Sequence, residues 1–124
     1  MPAAKILLAE DHEPTRANLS GVLRAAGFEV DAVASGVDAV LLLKKTTYAL
    51  LVTDLIMPEG TGFEVIQHLR KRKIQIPVLV CSAYVAGKEA GRSLEGFRFS
   101  VLSKPVRPED LVASARELLK PPAK

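Results

Sequence analysis

Five side chains in this sequence could act together on a charged substrate: the adjacent acids Glu10 and Asp11, then Asp54, Ser82 and Lys104. Each follows a short apolar run. Lys5-Ile6-Leu7-Leu8-Ala9 leads into the acidic pair, and Ala49-Leu50-Leu51-Val52-Thr53 leads into Asp54. Ile76 to Cys81 leads into Ser82, and Arg98 to Leu102 into Ser103-Lys104-Pro105. Runs this short suit strands buried on both faces rather than helices. A carboxylate at the end of such a strand loses hydration unless a cation or donors replace the water. Three carboxylates brought together repel one another, and a hard divalent cation relieves that repulsion. Oxygen ligands without histidine or thiolate suit Mg²⁺, which keeps several waters and accepts phosphate oxygens into its shell. Lys104 adds a compact positive charge and Ser82 a hydroxyl donor. Phosphoryl transfer depends mainly on positioning and on neutralising the equatorial oxygens, which is what such a set supplies. On this reading Asp54 is the nucleophile and forms an acyl phosphate.

Alternating strands and helices must bring these residues together. After the first strand, Pro14 suits the first turn of a helix whose Leu19, Val22, Leu23 and Ala26 recur at helical spacing, and Gly27 stops it. Phe28 to Val33 alternates as an edge-like strand should. Ser35 is an N-cap for a helix through Lys45 that carries Val37, Val40 and Leu41 inward. Pro58, Gly60 and Gly62 mark a loop after Asp54. Thr61 then opens a third helix with Phe63, Ile66 and Leu69 on one face and Arg70 to Lys73 at its solvated end. The segment Ala86 to Leu94 makes a poor helix, because Gly91 costs about 1 kcal/mol relative to alanine. Pro108-Glu109-Asp110 starts a last helix with Leu111, Val112, Ala115, Leu118 and Leu119 facing inward.

Five strands alternating with five helices predict an α/β fold with a parallel sheet covered on both faces. The flavodoxin-like strand order 2-1-3-4-5 fits right-handed crossovers. It sets strands 1, 3, 4 and 5 side by side. Ligands bind outside the carboxyl ends of strands in such sheets, and there Glu10, Asp11, Asp54, Ser82 and Lys104 converge.

A chain of 124 residues suits one compact domain, here residues 1–120 with a frayed tail at 121–124. The net charge of +3 allows only weak attraction to polyanions. The basic run Arg70 to Lys73 lacks the interleaved aromatics of a nucleic-acid platform, so no direct nucleic-acid binding is expected. Cys81 is the single cysteine and cannot form an internal disulfide, which favours a reducing compartment. It reads as a small core residue. No apolar run approaches the roughly 20 residues needed to span a bilayer. The acids at 10 and 11 come too early for a secretory signal, and a cytoplasmic location is expected. His12 and His68 have no second histidine at ligand spacing and read as exposed bystanders.

The combined order of these pieces resembles a response-regulator receiver domain over essentially the whole chain. The resemblance rests on Glu10-Asp11, on D-L-I-M-P-E-G-T-G from Asp54, on Ser82-Ala83 after an apolar strand, and on Lys104-Pro105. It implies that Asp54 receives phosphate from the phosphohistidine of a sensor histidine kinase or phosphotransfer protein. It implies a phosphorylated form that binds a downstream protein partner, and a monomer or weak dimer that catalyses only its own phosphorylation and dephosphorylation. Mg²⁺ would be held by Asp11, Asp54 and the Ile56 backbone carbonyl, with Glu10 acting through water. Ser82 and Lys104 would grip the phosphoryl oxygens, and the Lys104–Pro105 bond would be cis.

Three positions depart from the family pattern. Glu10 stands where Asp is frequent, and Thr61 where Asp or Ser is frequent. Val101 occupies a position that usually carries Tyr or Phe, so the usual aromatic switch lacks its ring, and the weak helix around Gly91 is the element expected to shift. An Mg²⁺-dependent phosphohydrolase working through an aspartyl-phosphate is the alternative, but it wants a second acid where Ile56 stands. A receiver-like module that only binds partners would have no need of Asp54, Ser82 and Lys104 together.

Overall fold

A computed structural model describes residues 3–57, 59–83 and 92–120. The elements follow in the order β1 (Lys5–Ala9), α1 (Glu13–Ala25), β2 (Glu29–Val33), α2 (Gly36–Leu43), β3 (Leu50–Thr53), α3 (Gly62–Lys71), β4 (Val78–Ser82), β5 (Phe99–Ser103) and α4 (Pro108–Leu119). All strand pairs are parallel, and the sheet order is β2-β1-β3-β4-β5. This is the expected flavodoxin-like order. Most of the weak helix read between Ala86 and Leu94 falls at 84–91, outside the described residues.

The register levels the strand ends. Ala9 lies opposite both Val33 and Thr53, and Ser82 lies opposite Ser103. Side chains alternate along each strand into two cores. Leu7, Leu51, Val78 and Val80 join Val65, Ile66 and Leu69 of α3 on one face. Ile6, Leu8, Val52 and Leu79 join Leu23 of α1 and Leu111 of α4 on the other. Each fully buried aliphatic side chain contributes about 1.5–3 kcal/mol, so the central strands anchor the loops that follow them. β4 and β5 begin later than their apolar runs, at Val78 and Phe99. Pairing still reaches back, since the Pro77 carbonyl accepts from the Leu51 amide at 3.1 Å.

Local chemistry sets the helix ends. Ser35 Oγ accepts from the Asp38 amide at 3.1 Å, and Thr61 Oγ1 from the Glu64 amide at 3.2 Å, as N-caps should. Pro14 sits in the first turn of α1 and Pro108 in that of α4. Gly27 ends α1 with φ +100°, a conformation open to glycine. His12 is exposed as expected, yet it is no bystander, because its side chain is the N-cap of α1, accepting from Thr15.

Two expectations about helix faces need correction. In α2 the buried residues are Gly36, Ala39 and Leu43, while Val37 is 54% and Leu41 48% exposed. A Cβ on Gly36 would collide with the Gly60 carbonyl oxygen. The helix therefore packs through its small residues, and the large side chains at 37 and 41 turn outward. Arg70 is not merely a solvated helix end. Its guanidinium donates to the Ser93 carbonyl at 2.7 Å and lies 5.2 Å from the Phe97 ring centroid, tying α3 to the segment before β5. Arg98 likewise binds the Glu117 and Leu118 carbonyls at the end of α4, at 3.1 and 3.0 Å.

Candidate functional site

Each site residue is delivered by the strand before it. The Glu10 amide extends β1 by donating to the Val33 carbonyl at 3.0 Å, and the Asp54 amide extends β3 by donating to Ala9 at 3.1 Å. The Lys104 amide donates to the Ser82 carbonyl at 3.0 Å, which fixes the end of β5 against that of β4. The Lys104–Pro105 bond is cis, as the resemblance implies. Glu10, Asp11 and Asp54 come together so that one oxygen from each lies within 4.8 Å of the others. Asp11 is exposed, whereas the Glu10 and Asp54 side chains are only 1% and 9% exposed.

Lys104 is the cation that such burial demands. Its Nζ donates to Glu10 Oε1 at 2.5 Å and to Asp54 Oδ2 at 2.7 Å. Burial works against its charged form, but the hydrogen bonds it donates to Asp54 and Glu10, with their negative charges, outweigh burial and raise its pKa above the usual lysine value. Other donors finish the pocket. The Ile56 amide donates to Asp54 Oδ1 at 3.2 Å, and the His12 amide to Glu10 Oε2 at 3.1 Å. Three carboxylates and one ammonium leave two formal negative charges. An all-oxygen donor set with that residual charge fits a hard divalent cation.

The loop after Asp54 is held by close backbone contact. The Gly36 and Val37 amides at the start of α2 donate to the Gly60 and Glu59 carbonyls. The Gly62 amide donates to the Leu55 carbonyl at 3.1 Å, and a Cβ on Gly62 would strike the Asp54 carbonyl oxygen. Helix α3 can therefore begin directly against the acid's own backbone.

Glu10, Asp11, Asp54 and Lys104 thus form one cluster. Ser82 is buried at the end of β4 and joins it through the backbone bond to Lys104. Ile56 offers its amide to Asp54 while its side chain is 57% exposed at the rim. Three contributors carried no signal in the residue pattern. Arg16 donates to the Glu10 carbonyl at 3.0 Å, Thr53 Oγ1 donates to the Asp54 carbonyl at 2.8 Å, and the His12 amide holds Glu10. Arg16 and Thr53 act on main-chain oxygens, and His12 acts through its own main chain. Residue type alone rarely reveals either.

The fold and site define a flavodoxin-like α/β domain with an acid–ammonium pocket at its strand ends. The chain belongs to the response regulator receiver domain family, whose model matches residues 6–116. It is similar to the transcriptional regulatory protein TctD of Salmonella typhimurium, 40% identical over 116 residues that cover 94% of this chain and 52% of TctD. It spans about half the length of that relative. With the two-component response regulator ORR5 of Oryza sativa it shares 36% identity over 112 residues, covering 88% of this chain and 84% of ORR5. The chemotaxis protein CheY4 of Vibrio cholerae superposes with a TM-score of 0.83 at 28% identity, covering 94% of this chain and 98% of that one. The receiver domain of the sensor histidine kinase PA1611 from Pseudomonas aeruginosa, solved with a magnesium ion in its active-site cleft, shares the fold. Its TM-score is 0.83 at 22% identity, with the same coverage. Among the described residues no helix is long and apolar enough to cross a membrane.

Proposed function

We propose that Asp54 is the phosphoacceptor and that the chain switches a protein interaction when it is phosphorylated. The observation that carries this reading is the Lys104 ammonium shared between Asp54 and Glu10 at 2.7 and 2.5 Å. A buried carboxylate kept beside a mobile cation can exchange that partner for a phosphoryl group with little rearrangement. Asp54 Oδ attacks the phosphorus of a phosphohistidine on a kinase or phosphotransfer protein in the cytoplasm. The P–N bond breaks, the imidazole leaves with the electron pair, and an acyl phosphate remains on Asp54. Lys104 then turns from the carboxylate to a phosphoryl oxygen, and the Ser82 hydroxyl donates to another. Hydrolysis reverses the gain, with water attacking phosphorus and the Asp54 carboxylate leaving. Asp11, Asp54 and the Ile56 carbonyl would hold Mg²⁺, with Glu10 acting through water. The ion, when bound, neutralises charge on the transferring group.

Incubation with phosphoramidate and Mg²⁺ tests the assignment. Intact-mass measurement should show one added phosphate, absent from Asp54→Asn and lost when Mg²⁺ is chelated. Full labelling of Asp54→Asn would refute it.

A further inference from the structure

The outward face of α2 is unusual for so short a helix. Val37 and Leu41, one turn apart, are 54% and 48% exposed. A groove of about 550 Å³ runs along α3 next to Val40 of α2, lined also by Phe63, Glu64, Gln67, His68 and Lys71. His68 Nε2 is buried there without a hydrogen-bond partner among the described residues. Burial, and after it the Arg72, Lys44 and Lys71 cations, lower the His68 pKa, so the ring adds no charge to the groove at neutral pH.

Charge is ordered along this face. Both helices return from the carboxyl edge of a parallel sheet, so their N-termini lie together at the Asp54 end. Asp38 and Glu64 stand in the two first turns. Lys44 and Lys45 follow the end of α2, and Lys71 and Arg72 close α3. The surface therefore runs from acid through apolar to base. Glu64 and Lys71 are seven residues apart, two turns and about 10.5 Å along one helix.

We propose that this α2–α3 face pairs with a second copy of the same chain about a two-fold axis near Leu41. A half-turn lays the acidic end of one protomer on the basic end of the other, at both ends at once. Isologous interfaces require such self-complementarity. A uniformly acidic or basic partner would match only one end and oppose the other. Leu41 of each copy meets Leu41 of its mate at the axis, removing that exposed apolar surface from water. The surface lies outside the phosphoacceptor pocket, and its test needs no phosphoryl donor, so either reading can fail alone.

Sedimentation equilibrium of the full 124-residue chain, at low salt and from micromolar to millimolar protein, reads the association directly. The expected result is a concentration-dependent dimer. Leu41→Glu, at an exposed site that leaves the circular dichroism unchanged, should weaken it by about tenfold or more. Glu64→Lys and Lys71→Glu should each weaken self-association about fivefold, because each places like charges across both ends. Mixed together, those two variants should associate as tightly as the parent chain, since every cross-axis pair is again opposite in sign. A monomer throughout the range would overturn the proposal and leave the face to a different protein. A dimer insensitive to Leu41→Glu, or variants that fail to restore association on mixing, would also overturn it.

Discussion

Replacing Gly62 with alanine tests whether the pocket depends on the backbone behind it. A Cβ at position 62 would overlap the Asp54 carbonyl oxygen and lie 2.9 Å from Leu55 Cα and 3.0 Å from the Asp54 carbonyl carbon. All three neighbours are main-chain atoms, so no side-chain rotation relieves the overlap. Overpacking of this kind costs about 1–3 kcal/mol. Alanine returns at most about 1 kcal/mol of helix propensity, and less in a first turn. The net expectation is a loss of about 1–2 kcal/mol, or about 4–8 °C in Tm for a chain of this size. The chemistry should suffer more than the fold. Two of the three crowded atoms belong to Asp54, whose carboxylate, on the proposed function, attacks phosphorus in line with the leaving group. A shift of an ångström can lower such a rate about a hundredfold. Urea unfolding and the rate of phosphoramidate labelling measure the two effects. Gly21→Ala is the control, because nothing lies within 4 Å of a Cβ there and the site is exposed within α1. It should stabilise by about 0.5–1 kcal/mol and leave labelling unchanged. If Gly62→Ala matched Gly21→Ala in both assays, the close contact of α3 with Asp54 would have no bearing on the site.

Burial first, with Glu10 and Asp54 adding to it against the opposing Lys104 charge, pushes the Cys81 thiol up to about 12 from an ordinary 9. Iodoacetamide at pH 9 should therefore modify it only after unfolding. The native state keeps a proton that the unfolded thiol releases, so this stability is complete below pH 9 and is lost as pH rises towards 12. Tyr48, raised to about 12 by burial and its bond to Asp31, acts in the same direction from pH 10, so Cys81→Ala should shrink the alkaline fall in the urea midpoint without removing it. Ile56 has an exposed apolar side chain at the pocket rim, and Ile56→Ser should shorten the phosphate lifetime by giving the attacking water a partner. No faster decay would count against a water-excluding role.

Much of the fold was legible because its signals are local. Ser35 and Thr61 cap helices where their hydroxyls suggested, and Gly27 stops α1 with a positive φ. Strand ends carrying Glu10, Asp54 and Lys104 needed only the 2-1-3-4-5 order to meet. The outward turn of Val37 and Leu41 was hidden. From Ala39 to Leu43 every residue is apolar, so periodicity offers no face, and the choice falls to a collision at Gly36 with a loop distant in sequence. Arg70 misled for a related reason: its partners, Ser93 and Phe97, lie more than twenty residues away.

The Lys104 ammonium directly follows β5, an edge strand bonded to the sheet through β4 alone, with its first and last residues exposed. Asp54 rides on a fully buried strand with neighbours on both sides. Acid and cation thus follow strands of unequal endurance. Edge strands open far more often than the centre of a sheet. Fraying of β5 would withdraw the ammonium and leave the acid without its counter-charge while the central strands stay closed. On the proposed function, readiness to accept phosphate would track the opening equilibrium of one strand rather than the stability of the whole.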